Sequence, residues 1–95
     1  MDARRSAGYQ LRRVQQGLPP TDSKPMTIVG SGVIEIRIKT RLQHRVFYIA
    51  KFDEAVYVLH AFEKRSRQTA QRDIELAKQR LAELVQQRTK KPEKP

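Results

Sequence analysis

Residues 33–65 read VIEIRIKTRLQHRVFYIAKFDEAVYVLHAFEKR, three apolar runs parted by short polar breaks. In residues 33–39, Ile34, Ile36 and Ile38 alternate with Val33, Glu35, Arg37 and Lys39. That is the period of a strand with one buried face, so the charged parity is expected to face solvent or a ligand. Residues 44–51 and 55–62 are β-branched and aromatic, and Phe52, Asp53 and Glu54 form a link short enough for an antiparallel hairpin. Three strands in sequence make a meander. The last run is apolar on both parities, with Val56 and Val58 against Tyr57, Leu59 and Ala61. It is therefore expected as the central strand, covered on both faces.

The flanks read as helices. Ala3, Ala7, Leu11 and Val14 form one stripe over residues 3–16, ended by Gly17 as a cap and by Pro19 and Pro20. Gly8 inside it costs about 1 kcal/mol against alanine. Residues 20–26 read as a loop, and Gly30, Ser31 and Gly32 as a turn into the first long strand. Beyond the sheet, residues 63–68 are a charged connection and Thr69 is a plausible N-cap. A long helix follows on the stripe Ile74, Ala77, Leu81, Leu84 and Val85. The expectation is one α+β domain over residues 1–88, a small antiparallel sheet with an N-terminal and a long C-terminal helix, and a disordered basic tail at 89–95.

The chain has 95 residues, of which 38% are apolar, so its core must be modest. Lys and Arg number 20 against 10 Asp and Glu, a net charge of +10 that is positive in each third of the chain. Such a surface attracts polyanions, nucleic acid first, then membrane surfaces or an acidic protein. With no cysteine there are neither disulfides nor thiolate metal sites. No run approaches the roughly 20 apolar residues of a membrane span, and the N-terminus lacks an apolar stretch of signal length. A cytoplasmic protein without membrane partners is expected.

The strings EIRIK, RVFY, LHAFEKR and T-x-x-x-D-I-x-x-A-K-x-R, taken in this order, resemble the phage-derived, HigB-like branch of the RelE/ParE toxin superfamily. The likeness covers roughly residues 3–85. It implies the toxin of a type II toxin–antitoxin module, held inactive by a cognate antitoxin. In RelE-like and HigB-like members such a toxin is an endoribonuclease that cuts mRNA in the ribosomal A site, whereas ParE-like members inhibit DNA gyrase. Members of this branch usually begin with an extra strand, so a RelE-like sheet lacking that first strand is expected.

The resemblance maps family cations onto Arg37 and Lys39, Arg45, and Lys64 with Arg65. Metal-free RNA cleavage uses the ribose 2′-OH as nucleophile, and cations aimed at the phosphate are the main requirement. Arg45 is the first candidate for a phosphate clamp, the alternative being a strand arginine paired with Glu35 or Asp53. Arg37 and Lys39 share one face and are either catalytic or simply solvated. Lys64 and Arg65 would protonate the leaving oxygen or grip RNA, or else form an ordinary basic loop. His60, in an apolar run, is a general acid or base or a hydrogen-bonded core histidine. Arg41, Lys51, Arg67 and Arg72 complete the expected RNA-binding set, and Tyr48 reads as core. No metal or other cofactor is expected. The competing readings are a non-catalytic inhibitor of a protein target and an inactive remnant that still binds nucleic acid.

Overall fold

Four antiparallel strands lie side by side in chain order, β1 (Ser23–Pro25), β2 (Val33–Lys39), β3 (Gln43–Ile49) and β4 (Tyr57–Lys64), with helices α1 (Ala3–Gln15) before and α2 (Gln71–Thr89) after them. The computed structural model describes residues 3–17, 22–52 and 55–89. The fold is the expected α+β arrangement, with one more strand than the three anticipated.

That strand, β1, lies inside the stretch expected to be a loop. Lys24 pairs with Glu35, and Pro25 with Ile34. An edge strand tolerates the proline because its missing N–H leaves no ladder bond unmade on the inner side. Asp22 fixes the register from outside, its carbonyl accepting from the Arg37 N–H at 2.9 Å and its carboxylate from Arg37 Nε at 3.0 Å.

The central position belongs to β3 rather than β4, which is the outer strand. In β3 the five residues Arg45, Val46, Phe47, Tyr48 and Ile49 are all buried. The pattern of β4 misleads because a bulge interrupts it: Phe47 faces His60 but Tyr48 faces Val58, which leaves Leu59 as the extra residue. Parity flips there, so Tyr57 and Leu59 pack with the same cluster as Phe62. Apolar residues on both parities thus mark a bulge, not a strand covered on two faces.

The sheet separates two clusters. On one face α2 lays Ile74, Ala77, Leu81 and Leu84 over Val33, Phe47, Ile49 and Leu59. On the other, Ala7, Leu11 and Val14 of α1 meet Ile36, Ile38, Val46 and Tyr48. The Glu35 parity of β2 is therefore not a wet face, since Val33 and Glu35 are buried beneath α2 and only Arg37 and Lys39 emerge.

Several boundaries shift. Helix α1 ends as read, with Gly17 at φ 81° donating its N–H to the Val14 carbonyl. Leu18, Pro19 and Pro20 lie outside the described residues. The start of α2 falls after Ala70, whose carbonyl accepts from Asp73 and Ile74, so Thr69 is not the adjacent cap. Val85 is exposed rather than part of the packed stripe. Thr89 is still helical, with its hydroxyl on the Val85 carbonyl, and the rest of the expected tail, 90–95, lies outside the described residues. No helix among the described residues is long and apolar enough to cross a membrane.

Candidate active site

Strand register sorts the α2 face of the sheet into rows across β2, β3 and β4. Row by row these are Val33, Ile49 and Tyr57; then Glu35, Phe47 and His60; then Arg37, Arg45 and Phe62; and last Lys39, Gln43 and Lys64. Helix α2 packs on the first rows and leaves the last beyond its core cluster. Apolar side chains thus give way to cations along a single face. At that end the β2–β3 turn and the end of β4 line an open cleft of about 910 Å³ that includes Arg41, Gln43, Glu63, Lys64, Arg65 and Arg67. A smaller hollow beside it adds Arg72 to Lys64 and Arg65.

Lys64 is the half-buried cation of this cleft, the last residue of β4 rather than part of a loop. Burial lowers its pKa from the ordinary lysine value, and the charges of Arg45, Lys24 and Arg37 lower it further, while Glu35 opposes them. Neighbouring cations and lost hydration both disfavour the charged amine, so this ammonium gives up its proton more readily than a free lysine.

Arg45 is held differently from the expected clamp. It is only 5% exposed, with Nε 3.7 Å from Glu35 Oε2, Nη1 donating to the His44 carbonyl at 3.1 Å and Nη2 to Gln43 Oε1 at 3.2 Å. The pairing with Glu35 weighed from the sequence is the one present; Asp53 lies outside the described residues. Glu35, 2% exposed, also has Lys24 Nζ at 3.9 Å. A buried carboxylate between an arginine and a lysine was not singled out by sequence reading. The available signal was a single acid, Glu35, on a strand parity that otherwise carries the cations Arg37 and Lys39, next to a strand carrying Arg45.

His60 is bracketed. Its Nε2 lies 2.8 Å from Asp73 Oδ1 and its Nδ1 3.3 Å from Arg80 Nη1, while the ring stacks on Phe62 with centroids 4.9 Å apart. Arg80 has only protons to give, so Nδ1 accepts and Nε2 carries the proton donated to Asp73. Both ring nitrogens are engaged, which is the hydrogen-bonded alternative. Asp73→Ala should therefore cost about 1–3 kcal/mol by leaving a half-buried N–H without its acceptor. A urea melt unchanged from wild type would refute that role.

The remaining candidates divide by position. Arg37 is tied to Asp22, and Lys39 and Arg41 are exposed at the cleft end. Arg65 is exposed, although its Nε donates to Glu63 Oε1 at 2.6 Å. Lys51 belongs to the opposite end of the sheet, where its Nζ reaches the Ser31 carbonyl at 3.5 Å. The cleft therefore gathers Arg41, Lys64, Arg65 and Arg67, with Lys39 on the same row opposite Gln43, Arg72 in the hollow beside it and Arg37 and Arg45 one row behind, and it excludes Lys51.

Comparison with known proteins gives one match. The model of a family described as phage derived protein Gp49-like (DUF891) covers residues 1–82. No curated protein matches. No solved structure matches either.

Proposed function

The chain belongs to this phage-derived, Gp49-like family, whose RelE-like toxin character is consistent with the toxin of a toxin–antitoxin module, and on that premise we propose a ribosome-dependent mRNA endoribonuclease of the HigB-like kind. Its cognate antitoxin and the ribosome with its mRNA are the partners in this reading, and the cytoplasm is its place of action. The observation that carries the proposal is the cationic cleft, with a half-buried Lys64 of lowered pKa in its wall.

In the proposed reaction the 2′-oxygen attacks the adjacent phosphorus, its proton leaves to a base, and the bond from phosphorus to the 5′-oxygen breaks. Lys64 protonates that departing oxygen. Lys39, Arg41 and Arg67 meet the phosphate charge that builds up in the transition state. Arg45 acts from behind, through its field on Lys64, because it is buried, with Nη1 and Nη2 bonded to the His44 carbonyl and Gln43 and with Nε, which has no hydrogen-bond partner, 3.7 Å from Glu35. This needs no cofactor.

The burial of Arg45 and the engagement of His60 favour one second reading, an inhibitor of the same fold that binds a protein target without cutting RNA. Incubating the chain with mRNA, with and without programmed ribosomes, separates the two. Cuts confined to the ribosome-containing reaction are expected; intact mRNA in the presence of the folded chain would establish the inhibitor instead.

A further inference from the structure

The edge strand β1 adds a column to the rows of the α2 face. Lys24 pairs with Glu35, so its side chain joins the row of Glu35, Phe47 and His60. The bond from the Arg37 N–H to the Asp22 carbonyl puts Asp22 in the row of Arg37 and Arg45. From the mouth of the cleft, Lys39, Arg37 and Lys24 therefore occupy three successive rows, each about 7 Å from the last, the rise of two strand residues. This track of cations runs toward the β1 edge.

Helix α2 leaves that corner open. The side chains of Lys24, Asp22 and Arg37 are 52%, 43% and 33% exposed, although Glu35 and Arg45 beside them are nearly sealed. Arg37 is oriented without being saturated. Asp22 Oδ1 accepts from its Nε at 3.0 Å, and neither terminal nitrogen of the guanidinium has a protein partner among the described residues. A guanidinium fixed at Nε presents those two nitrogens as a fork, the shape that matches a pair of phosphate oxygens.

Lys24 is a second counter-charge to a carboxylate that already has one. Arg45 Nε lies 3.7 Å from Glu35 and is held there by burial, whereas Lys24 Nζ, at 3.9 Å, stands at the limit of an ion pair on a flexible, half-exposed stem. Across this face the cations Lys24, Arg37, Lys39, Arg45 and Lys64 outnumber the acids Asp22 and Glu35. The fields of Lys24 and Arg37 both reach Lys64, so the track and the cleft belong to one surface.

We propose that this track holds the RNA phosphate next to the one that is cut, with Arg37 and Lys24 as its ligands, so that the strand leaves the cleft over β1. Lys24 binds substrate here and takes no part in the chemistry, since it stands two rows from Lys64. The assignment requires the nuclease reading above and adds to it a direction for the substrate and a residue that sequence reading passed over.

The test is cleavage by the whole chain on programmed ribosomes, using mRNAs with a single uncharged methylphosphonate at the first or second phosphate to either side of the cut. With wild type, one of these positions should raise the chain concentration for half-maximal rate about tenfold, the loss expected of one charge-assisted hydrogen bond. Lys24→Gln should raise it about tenfold on unmodified mRNA with the saturating rate kept, and should lose nothing more at that one position, the signature of a coupled pair. Lys24→Arg should restore the wild-type half-saturation. A wild type indifferent to every modification would overturn the proposal without any variant having to fold. So would losses that add at every position, or Lys24→Gln lowering the saturating rate alone. A wild-type chain that cuts no mRNA would overturn the nuclease reading and this path with it, whereas cleavage without the coupling would overturn the path alone.

Discussion

Arg45→Ala should destabilise the fold by about 3–5 kcal/mol, a large share of the roughly 5–15 kcal/mol by which a small domain is stable. The side chains of Arg45 and Glu35 are 6% and 2% exposed, and the pair sits where β2 and β3 adjoin beneath the edge of α2. Removing the guanidinium leaves the carboxylate buried with only Lys24, itself half exposed at 3.9 Å, as a counter-charge. It also frees the His44 carbonyl and the Gln43 amide oxygen that Arg45 now satisfies. Replacing both charges together, as in Glu35→Leu with Arg45→Met, should recover most of the loss, because neither apolar side chain then leaves an unpaired charge in the core. Urea denaturation of the two single variants and the double variant measures this as a coupling energy. A single Arg45→Ala variant melting within about 1 kcal/mol of wild type would mean that the pair contributes little. The result also governs how activity is read: lost cleavage in Arg45→Ala reports unfolding as readily as lost chemistry.

How far the sequence reached is visible in the same strand. The bounds of β2 at 33–39 came straight from its alternation, because period two in a seven-residue run is a local property. The meaning of that alternation did not. Whether Glu35 faces water depends on α2 arriving 39 residues later with Ile74 and Ala77, and a charge that meets its partner on the neighbouring strand is indistinguishable in sequence from a solvated one. The place of β4 failed for a different reason. One extra residue, Leu59, shifts parity midway, and a bulge leaves no composition signal when the inserted residue is itself apolar. β1 was missed because three residues including a proline carry too little pattern to register. The cationic end was legible in kind, since Lys39, Arg41, Lys64, Arg65 and Arg67 all fall there, but the exclusion of Lys51 needed the strand directions.

Lys64→Met should slow cleavage by about 10²–10⁴-fold with little loss of stability, the range that a positioned general acid contributes. The side chain is half-buried at the mouth of the cleft rather than in the core, so its removal opens no cavity beneath α2. Lys64→Arg separates charge from proton transfer, because a guanidinium keeps the positive field yet holds its protons throughout the accessible pH range. It should restore RNA binding while leaving the rate low. The pH dependence follows from the direction of the shift. Burial and the fields of Arg45, Lys24 and Arg37 lower the pKa of Lys64, and the acid must be protonated to act, so cleavage should fall as pH rises through that lowered value. For stability the sign is opposite: the folded state holds this proton less tightly than the unfolded chain. Lys64 therefore disfavours the fold below its lowered pKa, and this cost fades as pH rises toward the ordinary lysine value. Glu35 raises the pKa of Lys64 against those other influences, so Glu35→Gln should move the alkaline limb of the rate profile to lower pH. A profile unmoved in Glu35→Gln, or Lys64→Arg cutting at the wild-type rate, would show that Lys64 contributes charge alone and that the leaving oxygen takes its proton from elsewhere.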